Sequence, residues 1–281
     1  MKGKFYGWYM KSQSGSQALA VIPAIHKSKK NSTCSIQIIS NLGAWDVSFP
    51  ASEYRKEGRM LWIGENRFSP DGMELNIETP ELKVNGKLSY KELSPLHYDI
   101  MGPFVMVPFM ECRHHVWSMK HTVNGTVCVN DKIFEFRNAE GYWEGDEGRS
   151  FPREYAWTHS FFDEGSLMLS VADIPIAGIR FTGVIAVISF QGKQYRLGTY
   201  WGAKAVEIQN GTIRIVQGDK ELLVSLLEKV ECALKAPVSG DMERTIREGI
   251  TCKAKYRFSQ NGTTLFEFET DKASFEYEYP Y

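Results

Sequence analysis

The dipeptide Asn-Gly occurs four times, at Asn85-Gly86, Asn124-Gly125, Asn210-Gly211 and Asn261-Gly262, each time inside a run of alternating apolar and polar residues. A type I′ turn needs positive φ at both central residues, which Asn and Gly tolerate best, so each pair predicts the tip of a β-hairpin. The flanking segments keep period two. Phe134 and Phe136, Ile213 and Ile215, Tyr256 and Phe258, and Phe266 and Phe268 each skip one residue. The tail repeats the pattern with Phe275, Tyr277 and Tyr279 separated by Glu276 and Glu278. Short alternating strands joined by tight turns, in a chain with 13% aromatic residues, predict an all-β protein of antiparallel sandwiches or barrels.

One segment competes with that reading. Leu222, Leu223, Leu226, Leu227 and Val230 fall at helical spacing, with Asp219 placed as an N-cap. Against a helix, Gln217-Gly218-Asp219 can close a hairpin after Ile213 and Ile215, with Leu222-Leu223-Val224 returning as its partner strand. The strand is the preferred reading. Two places could divide the chain, Met101-Gly102-Pro103 and the polar, Gly-rich residues 141–153. The second leaves pieces of about 150 and 130 residues, each the size of a ligand-binding barrel. The expected domains are therefore 1–148 and 149–281.

Charge is nearly balanced, with 33 Lys and Arg against 34 Asp and Glu, and no long run of either sign. A nucleic-acid groove needs clustered excess cation, so nucleic acid is not an expected partner. The opening Met1-Lys2-Gly3-Lys4-Phe5 leads into mixed polar and aromatic residues rather than an apolar signal core. The most apolar stretches, 103–110 and 184–190, are too short to span a bilayer as helices. Five widely spaced cysteines, Cys34, Cys112, Cys128, Cys232 and Cys252, with no CxxC motif, suit reduced buried thiols and a cytoplasmic protein.

Two clusters carry side chains fit for chemistry. Residues 111–121 hold three of the six histidines. As a strand they place Glu111, Arg113, His115, Trp117, Met119 and His121 on one face, and Cys112, His114, Val116, Ser118 and Lys120 on the other. His115 and His121 are then about 20 Å apart, too far to share a metal ion, and no metal site is expected. The second cluster, 141–159, begins with three carboxylates among three glycines in Gly141-Tyr142-Trp143-Glu144-Gly145-Asp146-Glu147-Gly148. The strand after it sets Tyr155, Trp157, His159 and Phe161 on one face. Carboxylates beside aromatics describe an acid kept protonated by burial; the plainer alternative is a solvated acidic loop leading into a core strand. No GxSxG elbow, P-loop, GxGxxG or HExxH is present, so serine hydrolysis, phosphoryl transfer and hydride transfer are not expected, and neither is a cofactor.

The second cluster, Gly141-Tyr142-x-Glu144-x-Asp146-x-Gly148-x-Ser150-Phe151-Pro152 followed by Tyr155-x-Trp157, resembles the signature of the tocopherol cyclase-like family. That signature runs approximately G-Y-x-E-x-x-W-G-x-x-F-P, then aromatic-x-W-x-Q-x-N. Similar matches occur in order at Phe5-Tyr6-Gly7-Trp8-Tyr9, Pro108-Phe109-Met110-Glu111-Cys112, Ser118-Met119-x-His121, Gly192-Lys193-x-Tyr195-Arg196, Gly202-Ala203-Lys204 and Leu234-Lys235-Ala236-Pro237. The resemblance implies two successive lipocalin-like β domains, related to carotenoid hydratase and AttH-like proteins, and an acid that protonates an isoprenoid alkene. This chain departs from the signature at Glu147, where the family has Trp, and at His159 and Phe161, where it has Gln and Asn. These departures change both the wall and the hydrogen bonding of the implied pocket.

Two functions follow as expectations. One is an enzyme that protonates an alkene in an isoprenoid or similar lipid, giving cyclisation or hydration. The other is a non-catalytic lipocalin-like binder of hydrophobic small molecules. Glu144 is the expected acid, with His159, which titrates near neutrality, and Glu111 as alternatives. Trp157, Tyr155, Trp143, Trp117 and His115 are the expected ligand contacts. The expected partner is a hydrophobic small molecule, with transient contact at a membrane surface. The oligomeric state is left open.

Overall fold

The computed structural model describes residues 3–15, 17–28, 31–107, 110–176, 179–230 and 232–280. Pro108 and Phe109, two residues of the family resemblance, lie outside them. The protein is nearly all antiparallel β, with three short 3-10 turns and no α-helix among the described residues. It forms two compact units. The first comprises Met1–Leu96, His114–Ser150 and Leu234–Arg244; the second comprises His97–Arg113, Phe151–Ala233 and Thr245–Tyr281.

The first unit is built on eleven strands: β1 (Lys4–Ser14), β2 (Gln17–Lys27), β3 (Ser32–Ser40), β4 (Gly43–Pro50), β5 (Tyr54–Glu57), β6 (Met60–Ile63), β7 (Asn66–Ser69), β8 (Gly72–Glu78), β9 (Lys83–Lys91), β10 (Cys112–Val129) and β11 (Lys132–Gly148). Their order is β4-β3-β2-β1-β11-β10-β9-β8-β7-β6-β5, and the sheet curls until β3 meets β6. Its interior is filled by Trp8, Met10, Ile36, Ile38, Phe68, Phe134, Phe136 and Trp143. The second unit contains β12 (Tyr155–Phe162), β13 (Gly165–Ile176), β14 (Ile179–Phe190), β15 (Lys193–Gly198), β16 (Lys204–Gln209), β17 (Thr212–Gln217), β18 (Lys220–Glu228) and β21 (Thr263–Tyr277). β20 (Asp241–Gln260) completes its sheet, in the order β15-β14-β13-β12-β21-β20-β18-β17-β16, and β19 (Cys232–Val238) pairs with β20. This sheet also curls on itself, bringing β14 to β16 and β15 to β17. The architecture is the expected pair of lipocalin-like antiparallel barrels or sandwiches. The strand at 220–228 forms as expected: Ile213 pairs with Val224 and Ile215 with Leu222 across the Gly218-Asp219 turn.

Two short segments belong to a unit other than the one their place in the chain suggests, and each is tied there by hydrogen bonds. The Arg196 guanidinium donates to the carbonyl oxygens of Tyr98 and Asp99 and stacks on the Tyr98 ring, and the Tyr200 hydroxyl donates to the Ile100 carbonyl. These bonds hold residues 98–100 in the second unit. The Gln37 amide exchanges two hydrogen bonds with the backbone of Lys235, at 3.1 and 2.8 Å, and so holds the 234–244 segment in the first.

Only two of the four Asn-Gly pairs are hairpin tips. Asn210-Gly211 and Asn261-Gly262 have the left-handed φ pairs of 49° and 77°, and 51° and 74°, and join β16 to β17 and β20 to β21. Asn85-Gly86 and Asn124-Gly125 instead lie in the middle of β9 and β10, which pair with each other. There the glycines serve close approach. A Cβ on Gly86 would sit 2.2 Å from the Thr126 carbonyl oxygen, and one on Gly125 would sit 2.1 Å from that of Lys87. Glycine inside a strand marks such points, and dipeptide identity does not separate them from turns. The β10–β11 hairpin turns on Asn130-Asp131, with φ of 46° and 67°.

Gly86→Ala is therefore expected to cost at least about 2 kcal/mol, since it combines a backbone clash with φ of 153°. Gly262→Ala, which meets nothing within 4 Å, is expected to cost about 1 kcal/mol, for its left-handed φ alone. Denaturant midpoints at constant slope measure both changes.

Candidate acid-base site

The acid cluster grows out of the ladder between β1, β11 and β10. In the β1–β11 register Trp8 faces Gly145, Tyr9 faces Glu144, and Lys11 faces Tyr142. Strand alternation sends Trp143 into the barrel interior, where it packs on Trp8 and Trp117 at ring separations of 5.0 and 4.9 Å. Gly145 permits this, because a Cβ there would lie 2.7 Å from the Trp117 ring. The same alternation turns Tyr142, Glu144 and Asp146 to the opposite face. That face is buried too, as Tyr142 is fully enclosed and Glu144 is 5% exposed.

His114 of β10 lies among these side chains. Its Nε2 is 2.9 Å from Oε2 of Glu144, and its Nδ1 is 3.0 Å from Oδ1 of Asp146. The Tyr142 hydroxyl donates to the same Glu144 oxygen at 2.5 Å. A neutral imidazole carries one N–H, so facing carboxylate oxygens with both nitrogens favours the imidazolium. Burial opposes a charge on His114, yet Glu144 and Asp146 outweigh it and raise its pKa well above 6.5. Burial likewise raises the Glu144 pKa above 4.5, against the lowering influence of His114. Burial and the neighbouring Glu144 keep Tyr142 a phenol. The group is a short chain of proton carriers, Tyr142–Glu144–His114–Asp146, that retains a proton at neutral pH.

The other sequence-derived candidates are spread over both units. In the first, Trp143 and Trp117 belong to the barrel interior, on the face opposite the Glu144 carboxyl. His115 stacks on Trp117 at 5.8 Å, with Nε2 3.6 Å from Glu147, the residue that replaces the family's Trp. His121 lies against the Tyr90 ring, and burial depresses its pKa to about 3. In the second unit, Tyr155, Trp157, His159 and Phe161 share a face of β12, while the core takes Ala156 from the alternate face. His159 is fully buried, with its ring 4.6 Å from that of Phe161. Glu111 also lies in the second unit, where its charge adds to the acidic surroundings of Arg180.

Sequence reasoning placed His114 on its strand and Glu276 between two aromatics of the tail but gave neither a role. The Tyr155 hydroxyl donates to Glu276 at 2.5 Å, and Glu276 sits directly across the ladder from Glu248, both of them buried. The position of Glu276 between Phe275 and Tyr277 was the available signal. It was legible only if both faces of that strand are enclosed. Among the described residues no group of three or more His, Cys, Asp or Glu is arranged to hold a metal ion, and all five cysteines are free thiols. No helix among them is long and apolar enough to cross a membrane.

No protein-family model and no curated protein sequence matches the chain. Its structure resembles solved proteins over nearly its full length. CghA, solved with Sch210972, superposes with a TM-score of 0.62 at 9% identity, covering 98% of this chain and 88% of that one. A protein assigned as AttH from Nitrosomonas europaea gives 0.56 at 9% identity, covering 100% and 93%. Kievitone hydratase from Nectria haematococca gives 0.54 at 10% identity, covering 98% and 89%. These likenesses establish a shared two-unit β fold, including that of an AttH protein as the resemblance implied.

In a titration followed by ring 15N resonances, His114 should remain doubly protonated at pH 7.5. His26 and His121, which burial lowers to about 4 and about 3, should be neutral there. Loss of a resonance in His114→Gln assigns it. Because the folded pKa of His114 lies above 6.5, its contribution to stability is complete below that pH and is lost as pH rises through the folded value. Raised Glu144 acts in the same direction from pH 4.5 upward. Unfolding free energy should therefore decline on the alkaline side of pH 6.5.

Proposed function

We propose that the protein binds an apolar ligand of isoprenoid or similar lipid type and protonates an alkene in it, with Glu144 as the acid. The observation that carries this reading is the enclosed Tyr142–Glu144–His114–Asp146 chain, with His114 held between two carboxylates. A buried carboxyl with a raised pKa is the form of acid that alkene protonation needs, because an ionised one has no proton to give. The tocopherol cyclase-like pattern around Glu144, and the fold shared with a protein named as a hydratase, support the same class of chemistry.

In the proposed step the π electrons of the alkene take the proton from the Glu144 carboxyl, leaving a carbocation and a carboxylate. The lone pair of an oxygen nucleophile then forms the new C–O bond: water gives hydration, and a hydroxyl of the ligand itself gives cyclisation. The nucleophile returns one proton to the site, so the acid is restored. His114 can pass a proton from Nε2 to Glu144 while its Nδ1–H stays directed at Asp146. Glu144 is thereby recharged without bulk water. Tyr142 holds the Glu144 oxygen in place and can relay the proton through its own hydroxyl. Trp157 and Tyr155, on β12 of the second unit, are proposed as contacts for an apolar ligand held within that unit, since aromatic side chains are the usual lining of such sites.

Glu144→Gln keeps the shape of the side chain while removing the acid. With a polyprenyl quinol as substrate in deuterated water, deuterium incorporation into product should fall by about a hundredfold to ten-thousandfold in this variant. Turnover equal to wild type would overturn the assignment. A fluorescent fatty acid should bind saturably and more weakly to Trp157→Ala. Binding of the fatty acid without turnover of any alkene in wild type would favour the non-catalytic binder.

A further inference from the structure

The apolar stretch that begins at Pro103 is too short to cross a bilayer, and neither core nor the acid chain uses its described residues 103–107. Residues Gly102–Met106 form a 3-10 turn of the second unit, and Thr199–Trp201 form another beside it. Phe104 joins them, with its ring 5.6 Å from that of Tyr200 and 6.2 Å from that of Phe181. Gly102 allows the close approach, since a Cβ there would lie 2.7 Å from the Tyr200 ring. Neither turn buries a side chain. Met106 is 85% exposed and Trp201 62%, and Tyr98 and Val105 are exposed as well. Of the ten large hydrophobic residues exposed among the described residues, four thus gather at one place.

Core packing does not account for these side chains, and a gathered apolar patch marks a surface that is covered in use. Charge and backbone indicate what covers it. No residue of 100–107 or 197–203 is charged, and the flanking charges are of both signs: Asp99, Arg196 and Lys204 along the chain, and the Arg180–Asp173 pair beside Phe181. An acidic or basic protein surface finds no opposite excess there, whereas a zwitterionic head-group layer carries both signs itself. The backbone is suited to low water. The N–H groups of Gly102, Phe104, Val107, Gly202 and Ala203 each donate to a carbonyl in or next to their own turn, and Pro103 has none to satisfy. Unpaired amides are what keep irregular backbone out of lipid, so this pairing removes the main obstacle. Tryptophan and tyrosine favour the same boundary, because their rings are apolar and one edge is polar. We propose that the two turns dock on a zwitterionic bilayer surface, with Val105, Met106 and Trp201 entering the boundary between head groups and acyl chains. The contact gives access to a water-insoluble ligand, and in that respect alone it rests on the apolar-ligand reading.

Flotation with phosphatidylcholine vesicles, in the absence of any ligand, should carry the whole protein upward. Raising sodium chloride to about 0.5 M should change the affinity by less than about twofold, because no excess charge is involved. Met106→Glu and Trp201→Glu, both at exposed positions, should each weaken binding by about tenfold or more. Brominated phosphatidylcholine should quench the tryptophan fluorescence of bound wild type. Trp201→Phe should still bind and lose most of that quenching, since the other six tryptophans are buried or half-buried. Absence of binding, binding that needs anionic lipid, or binding that both glutamate variants retain would each overturn the proposal. Self-association that Trp201→Glu abolishes, without vesicle binding, would overturn it too and make the patch a contact between copies. Wild type that binds vesicles but turns over no alkene sinks the acid role and leaves the docking surface standing. Glu144-dependent turnover of detergent-solubilised polyprenyl quinol, without vesicle binding, sinks the docking surface alone.

Discussion

The antiparallel register between β1 and β11 is the constraint on which the rest of the first unit depends. Over residues 8–13 of β1 and 141–145 of β11 both faces are enclosed, so each strand contributes one row of side chains to the barrel core and one row to the acid face. A slip of one residue would exchange the rows, driving Glu144 and Lys11 into the hydrophobic interior and expelling Trp8 and Trp143 from it. The energetic gap against such a slip is large on both sides. Two buried indoles would lose their packing, and several ionisable groups would lose their partners. The Trp8–Trp117–Trp143 cluster and the His114 ion pairs therefore stabilise the same alignment from opposite faces of one ladder.

Glycine makes that alignment possible. At Gly145 the absence of a Cβ lets Trp117 lie against the strand, and at Gly141 it leaves room for the His121 ring. Side chains at these positions would push the aromatic layer away from β11 and shift the backbone that carries Glu144. The glycines at 141 and 145 are thus packing devices rather than signs of a bend. The loop expected from the composition of 141–148 is in fact the end of a seventeen-residue strand.

Electrostatics on the opposite face follow from enclosure. An exposed Glu–His–Asp arrangement would exchange protons with solvent and hold no particular state. Enclosed, it sets the cost of burying each carboxylate against the gain of pairing with the imidazolium, and the balance keeps a proton within the group. The same enclosure without acidic neighbours acts in reverse on His26 and His121, whose pKa values fall. Three histidines of one sheet are thus separated by their neighbours alone, and only His114 is suited to hold a proton at neutral pH.

Period-two alternation of aromatic and β-branched residues determined, from sequence alone, that the chain forms antiparallel sheets, and it separated the faces of 111–121 and 155–161. The tyrosine, glutamate and aspartate of 141–148 were not legible as a row on one strand face, because three glycines among three carboxylates describe a bent loop equally well. Which Asn-Gly pairs turn and which pass through a strand was not legible, because the dipeptide is the same in both roles: at the two tips Asn and Gly are both left-handed, while within β9 and β10 only the glycine has positive φ, extended at 153° and 135°. Nor was the partner of Glu144. His114 is thirty positions away, among two other histidines of equal local merit, and only the pairing of β10 with β11 brings its ring between Glu144 and Asp146. Burial of both faces of 8–13 in β1 and 141–145 in β11 was equally hidden. A sequence states the period of a strand, but whether its polar row meets water or protein is decided by what packs over it, and that decision turns Glu144 and Lys11 from surface charges into an enclosed site.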